Sequence, residues 1–206
     1  VHNDRSFDLL NERKLIDVKK YSDEVKVMGQ KLIPITTQEV FNEVLAEALK
    51  SRSLGETVYN KSSSRSHAFF ELYLNVRFGG PALHSRLPLT LADKTIKLCF
   101  VDLAGSEKTS KIDLKPGENF KESCQINASL MHLGRCLKNL KDGQGLQGMR
   151  DTTLTMLLAG YLHEHSNVIL MCNVSYDSPL EESVKVLEFA SDSNRAVLPK
   201  KVIQPT

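Results

Sequence analysis

No C-x-x-C pair occurs in the 206 residues; the four cysteines, Cys99, Cys124, Cys136 and Cys172, are scattered. They read as reduced, partly buried thiols of a cytosolic protein, two of them inside apolar strand-like runs. No apolar run reaches the length of a bilayer span, and the start carries no signal-peptide pattern, so no membrane partner is expected. There is no large charge excess: the formal net charge is +2 and the pI about 8.3. That balance gives no polybasic arm for nucleic acid, although a basic patch can still be local. Internal repeats and low-complexity tracts are missing. So is a G-x-S-x-G elbow that would organise a hydrolase triad. His163 and His165 flank Glu164, but lack the further ligands that a metal site needs. The chain has no initiator Met and opens directly on strand-like residues, V-H-N-D-R-S-F-D-L-L, which reads as a cut from something longer.

Composition is that of one soluble globular domain, with 41% hydrophobic and 25% charged residues. Residues 1–36 read as short strands and turns: 7–10, 17–19 and 25–28 before Gly29. Thr37 is placed to cap a helix with Val40, Phe41, Val44, Leu45, Ala48 and Leu49 on one face, stopping near Gly55. A polar loop spans 60–67. Strands follow at 68–78 and 95–101, with Gly79-Gly80-Pro81 and Pro88 marking the hairpin-like connection between them. Residues 105–117 read as a loop. Ile126, Leu130, Leu133, Leu137 and Leu140 step by four and three along a strong helix. Gly143 to Gly148 breaks it, and Asp151 or Thr152 caps the next helix, with Leu154, Leu157, Leu158 and Tyr161 inward. The nearly continuous apolar run at 168–174 predicts a central strand covered on both faces. Residues 181–190 predict a covering helix. Strands mixed with helices predict a three-layer α/β sandwich, a central mixed sheet with helices on both faces.

Two runs carry chemistry. The strand at 95–101 ends on Asp102, and Asp102-Leu103-Ala104-Gly105 has the D-x-x-G form found beside triphosphates. There an acid at a strand end holds the Mg²⁺ water shell, and a glycine N–H approaches the γ-phosphate. Alone, this pattern reads first as a plain strand-turn. The second run, residues 60–67, packs hydroxyls, an amide, a guanidinium and an imidazole into eight positions. Hydroxyls suit Mg²⁺ or phosphate oxygens and arginine suits an acid, but by itself the run reads first as a polar surface loop.

Together the runs resemble the two switches of the kinesin motor domain. N-x-x-S-S-R-S-H is matched by Asn60, Ser63, Ser64, Arg65, Ser66 and His67 (switch I), and D-L-A-G-S-E by Asp102 to Glu107 (switch II). Ile126-Asn127-Ala128-Ser129-Leu130-Met131-His132-Leu133-Gly134 resembles the relay helix, and Arg150-Asp151 with Leu154-Thr155 resembles R-D-S-K-L-T. The four motifs stand in the family's order, and the resemblance covers essentially the whole chain, from the strand ending D-L-L at Asp8 to the helix at 181–190. The resemblance implies a partial P-loop triphosphatase fold of the kinesin type, with ATP and Mg²⁺ as cofactors. It implies γ-phosphate and Mg²⁺ contacts from Ser63 and Ser64 beside Asn60, and water-mediated Mg²⁺ binding by Asp102. Gly105 would sense the γ-phosphate, and an Arg65–Glu107 salt bridge would close the switches for hydrolysis. Lys108, Lys111, Lys115, Lys121 and Arg150 would face the acidic surface of tubulin.

The same resemblance implies a microtubule-stimulated ATPase of the cytoplasmic cytoskeleton, its spindle included, that dimerises through a coiled coil outside this chain. Residues 1–197 would form the C-terminal part of the motor domain and 198–206 the start of the neck linker. The family's phosphate-binding loop, G-x-x-x-x-G-K-[ST], does not occur here. Truncation explains that, and the segment alone is expected to be inactive and to bind ATP weakly. The alternatives are a non-catalytic kinesin-fold partner and another triphosphatase with a D-x-x-G switch. Thr153 and Met156 replace the basic residues of R-D-S-K-L-T-R, so Thr153→Lys with Met156→Arg is expected to strengthen microtubule attachment. Leu133-Gly134-Arg135-Cys136 resembles the mitotic-kinesin-like, central-spindle branch.

Overall fold

Reciprocal backbone hydrogen bonds between His2 and Arg5, at 2.9 and 3.0 Å, close a tight turn at the start of the chain. Asn3 and Asp4 occupy it with φ of 49° and 56°, left-handed values that short polar side chains tolerate. The computed structural model describes residues 1–21, 25–57, 66–77, 93–105, 118–163, 165–177 and 179–196. The chain divides into two units, one of Val1–Ser66 with Ala104–Thr206 and the other of His67–Leu103.

In the larger unit, β1 (Ser6–Asp8), β2 (Lys14–Lys20) and β3 (Val25–Met28) form an antiparallel meander in that order. Phe7 pairs with Leu15, and Val18 with Val27. Buried Asp8 fastens its end: one carboxylate oxygen accepts the Leu10 N–H at 2.9 Å, the other the Lys31 N–H at 2.6 Å. Helix α1 (Gln38–Thr57) starts where the Thr37 hydroxyl accepts the Val40 N–H at 3.3 Å. The Glu39 carboxylate is held below its usual range, first by its own backbone N–H and then by Thr37.

The core lies among α2 (Glu118–Lys141), α3 (Thr153–Ala159) and α4 (Leu180–Asn194). Helix α2 packs on α3 and α4, and α3 packs on β2 and β3. The expected stripe on α2 is buried at Leu133, Leu137 and Leu140, and Cys136 joins it; Leu154, Leu157 and Met149 close the core from the other side. Helix α4 meets α2 where the Phe189 ring lies 3.8 Å from the Cβ position of Gly134, close packing that a small residue permits. Lys141 Nζ also reaches Asp192 Oδ1, at 2.6 Å.

The smaller unit is a hairpin, β4 (Ala68–Arg77) paired antiparallel with β5 (Asp93–Asp102) along all their residues. Phe70 faces Phe100 with ring centroids 6.5 Å apart. Residues 79–81 and 88, assigned to its connection, lie outside the described residues.

One expected element is different. Residues 168–174 join no sheet among the described residues, and every pairing between described strands is antiparallel. The apolar run is there, but a strand exists only with a neighbour to accept its N–H and C=O groups.

Candidate functional site

The hairpin register sets the residue that follows the first chemical run beside the one that opens the second. Ala68, first in β4, lies directly across the ladder from Asp102, last in β5. His67 therefore enters β4 at the same end from which Leu103 leaves β5. Neighbours across an antiparallel ladder lie about 5 Å apart. Asp102 is exposed at this end, while Gly105 is half-buried. Asn60, Ser63, Ser64, Arg65, Glu107, Lys108, Lys111 and Lys115 lie outside the described residues. Lys121 belongs to the first turns of α2.

Two described residues border the serine-rich run. His67 is buried. Ser66 is held by Arg52 of α1, whose Nε points to the Ser66 hydroxyl at 3.4 Å while a terminal nitrogen donates to the Ser66 carbonyl at 3.1 Å. Sequence reasoning did not single out Arg52. It follows Ala48 at the spacing of one helix turn and so sits on the inward face, a signal that helical periodicity could have supplied.

Beyond α2, the Arg150–Asp151 turn is clamped from the side. The Asp151 carboxylate forms an ion pair with Arg135 of α2, and His132 Nδ1 lies 3.4 Å from the same oxygen. His132 and Arg135 stand three residues apart on one helix, hence on one face. The sequence showed that spacing but not their partner. Arg150 itself is exposed. Gly148 enters this turn with φ +80°, and a Cβ there would sit 3.3 Å from Cys136 Sγ.

Thr152, rather than Asp151, caps α3. Its hydroxyl accepts the Thr155 N–H at 3.1 Å, while the Thr155 hydroxyl accepts the Thr152 N–H at 3.2 Å. Thr153 is buried; Asp4 accepts its N–H at 2.6 Å, and its hydroxyl donates to the Asp4 carbonyl at 2.7 Å. That corrects the expectation for Thr153→Lys, because position 153 serves the interior and offers no free surface. His163 and His165 meet edge-on at 6.2 Å, and among the described residues no three His, Cys, Asp or Glu side chains form a metal cluster.

The kinesin motor-domain family model matches residues 1–196. The chain belongs to the kinesin motor-domain family. It is 35% identical to human centromere-associated protein E over 159 residues, covering 76% of this chain and 6% of that protein. To mouse kinesin-like protein KIFC1 it is 31% identical over 181 residues, 86% of this chain and 26% of KIFC1. A solved KIF14 dimer, with AMP-PNP in complex with a microtubule, matches at 26% identity and a TM-score of 0.80, covering 98% of this chain and 58% of that one. The chain thus spans little more than half of a solved kinesin motor chain and about a quarter or less of these curated relatives. Its fold is the α/β fold of kinesin motors. The identities are similar across differently named kinesins, so they select no branch, the central-spindle one included.

The kinesin residues present suit one side of a Mg²⁺–ATP site. Asp102, a hard oxygen donor of the kind Mg²⁺ prefers, stands at a strand end. The other side, a cradle of backbone N–H groups with a lysine, has no counterpart in the sequence.

Proposed function

We propose that this chain is the switch-bearing part of an ATP-driven microtubule motor. The supporting observation is the Ala68–Asp102 register, which starts both switch runs from one end of one hairpin. Bound Mg²⁺–ATP would supply the phosphoanhydride whose cleavage drives the cycle. This chain's residues do the sensing. Ser63 and Ser64, beside Asn60, offer oxygens to the metal and the terminal phosphate; Asp102 orients metal-bound water; the Gly105 N–H reads the phosphate. Arg65 and Glu107 pair only when both runs draw in, which couples the geometry of water attack to a closed state. Helix α2, which follows switch II, carries that state towards the filament. Lys108, Lys111, Lys115, Lys121 and Arg150 give the positive charge that acidic tubulin attracts. The protein acts in the cytoplasm on microtubules, the spindle among them, and dimerises through a coiled coil outside these residues. Residues 1–197 serve as motor and 198–206 begin the neck linker.

The missing cradle favours one second reading, a non-catalytic kinesin-fold partner that binds microtubules. Against it, Arg65, Glu107, Gly105 and both serines are all present, and a site without hydrolysis has no chemical need of them. The test is microtubule-stimulated phosphate release by the chain joined to a P-loop-bearing portion of a kinesin motor. Arg65→Ala and Glu107→Ala should each reduce turnover by about a hundredfold or more, and the double variant scarcely further, because the pair acts as a unit. Full turnover in both single variants would reject the Arg65–Glu107 latch, and no turnover in the unmutated protein would reject hydrolysis.

A further inference from the structure

His132 and Arg135 of α2 share one acceptor. The Arg135 guanidinium pairs with Asp151 Oδ2, its Nη2 lies 3.2 Å from His132 Nδ1, and His132 Nδ1 lies 3.4 Å from the same Asp151 oxygen. An arginine N–H can only donate, so Nδ1 accepts here, and the imidazole is neutral with its proton on Nε2. The three groups close over Gly148, where a Cβ would come within 3.5 Å of both Arg135 Nη2 and Asp151 Oδ2. Charges on the neighbouring elements do not steady a further cation at this place. Helix α3 has no charged residue, and Asp4 is engaged with the Thr153 N–H at 2.6 Å. Helix α4, packed on α2, carries Glu181, Glu182, Lys185, Glu188 and Asp192. Among the described residues none of these contacts His132, and Asp192 is held by Lys141. Arg150, beside Asp151 in the chain, and Lys138 on α2 are themselves cations.

A proton taken from water at Nδ1 reverses these relations. The ring nitrogen becomes a donor, repelled by Arg135 and attracted to Asp151. Two cations then compete for one oxygen, and the one that leaves is the one that water receives at less cost. The Arg135 side chain is 54% exposed and that of His132 only 25%. Arginine also keeps its charge throughout and reaches solvent on a long stem. We propose that His132 and Arg135 alternate as the partner of Asp151: protonated His132 takes the carboxylate, and Arg135 turns out beside Arg150. The turn keeps its other ties, because the Asn139 amide donates to the Gln147 carbonyl at 3.1 Å and Thr152 caps α3. The exchange therefore alters the charge that the turn presents and leaves its backbone in place. A released guanidinium next to Arg150 favours an acidic partner surface. That last consequence alone rests on the proposed filament-facing role of Arg150; the exchange at Asp151 does not.

A double-mutant cycle between Arg135→Gln and Asp151→Asn tests the exchange, measured by urea unfolding of the 206-residue chain at about pH 8 and about pH 5.5, the span over which histidine ordinarily changes charge. The coupling should be present at the higher pH and fall about twofold or more at the lower. In a His132→Gln background, which cannot titrate, it should be the same at both. Nuclear magnetic resonance of the unmutated chain needs no variant to fold: the His132 ring signals and the Arg135 Nε–H signal should move together with one midpoint. A coupling that ignores pH, an equal loss in the His132→Gln background, or an Arg135 signal that stays still while His132 titrates would each overturn the proposal. In the complete motor, microtubule co-sedimentation should strengthen several-fold between about pH 8 and about pH 6, and should stay level with His132→Gln. Partner exchange at Asp151 with level co-sedimentation in both proteins would support the proposal and count only against the place of Arg150 on the filament.

Discussion

Asp4 and Thr153, 149 residues apart, are joined twice: the Asp4 carboxylate accepts the Thr153 N–H at 2.6 Å, and the Asp4 carbonyl accepts the Thr153 hydroxyl at 2.7 Å. The left-handed turn at Asn3–Asp4 thereby holds the first turn of α3, whose free N–H groups favour a carboxylate. Asp4→Ala should destabilise the larger unit by about 1–2 kcal/mol in urea unfolding, and Thr153→Val by about 1 kcal/mol, since it keeps the backbone bond. Thr153→Lys should destabilise as well, with no gain in microtubule co-sedimentation of the complete motor.

Gly148 should tolerate no side chain. Its φ of +80° is left-handed, and the 3.3 Å approach to Cys136 Sγ leaves little room for a methyl group. Gly148→Ala is expected to cost about 1–2 kcal/mol from the backbone alone. Adding Cys136→Ala should recover only the steric share, visible as a non-zero coupling in a double-mutant cycle.

Lys141 beside Asp192 holds the Asp192 carboxyl below its usual range. The folded chain therefore binds that proton less readily than the unfolded one. The stabilisation is complete above the ordinary carboxylate pKa and disappears as pH falls through the lowered value. Asp192→Asn should melt slightly earlier than the unmutated protein near neutral pH, with the two converging in acid. Both side chains are partly exposed, so added salt should narrow the gap.

Arg150 is exposed beside a carboxylate that Arg135 already occupies, so its charge remains available to a partner. In the complete motor, Arg150→Ala should weaken microtubule co-sedimentation at low ionic strength, and the difference should shrink beyond about 0.15 M salt, where charges are screened within about 8 Å.

Isothermal titration of the 206-residue chain with Mg²⁺–ATP should give little or no heat of tight binding, because no N–H cradle and lysine hold the phosphates. Submicromolar affinity in that titration would show that the switch side is sufficient by itself.

Local signals in the sequence predicted most helices and strands well. The four-and-three stepping of Leu133, Leu137 and Leu140 marked the buried face of α2, and Thr37 marked the start of α1, because capping and periodicity act over a few residues. The run at 168–174 was predicted correctly in composition and not in state, since strand pairing depends on a neighbour elsewhere. Asp4–Thr153, Arg135–Asp151 and Arg52–Ser66 were hidden for a related reason: each joins positions brought together only by tertiary packing. Of the candidate site, the sequence marked the two runs and Asp102. Their shared origin at one end of the hairpin appears only in the register of Ala68 against Asp102.

The grip of Arg135 on Asp151 makes the turn at Arg150 mechanically part of α2. At about 1.5 Å of rise per residue, the 24 residues of α2 form a rod about 36 Å long. A tug on Arg150 passes through one peptide unit and one ion pair into that rod. Strain applied at this turn is therefore carried along α2 as the movement of a stiff body, and is not taken up by bending of the turn itself.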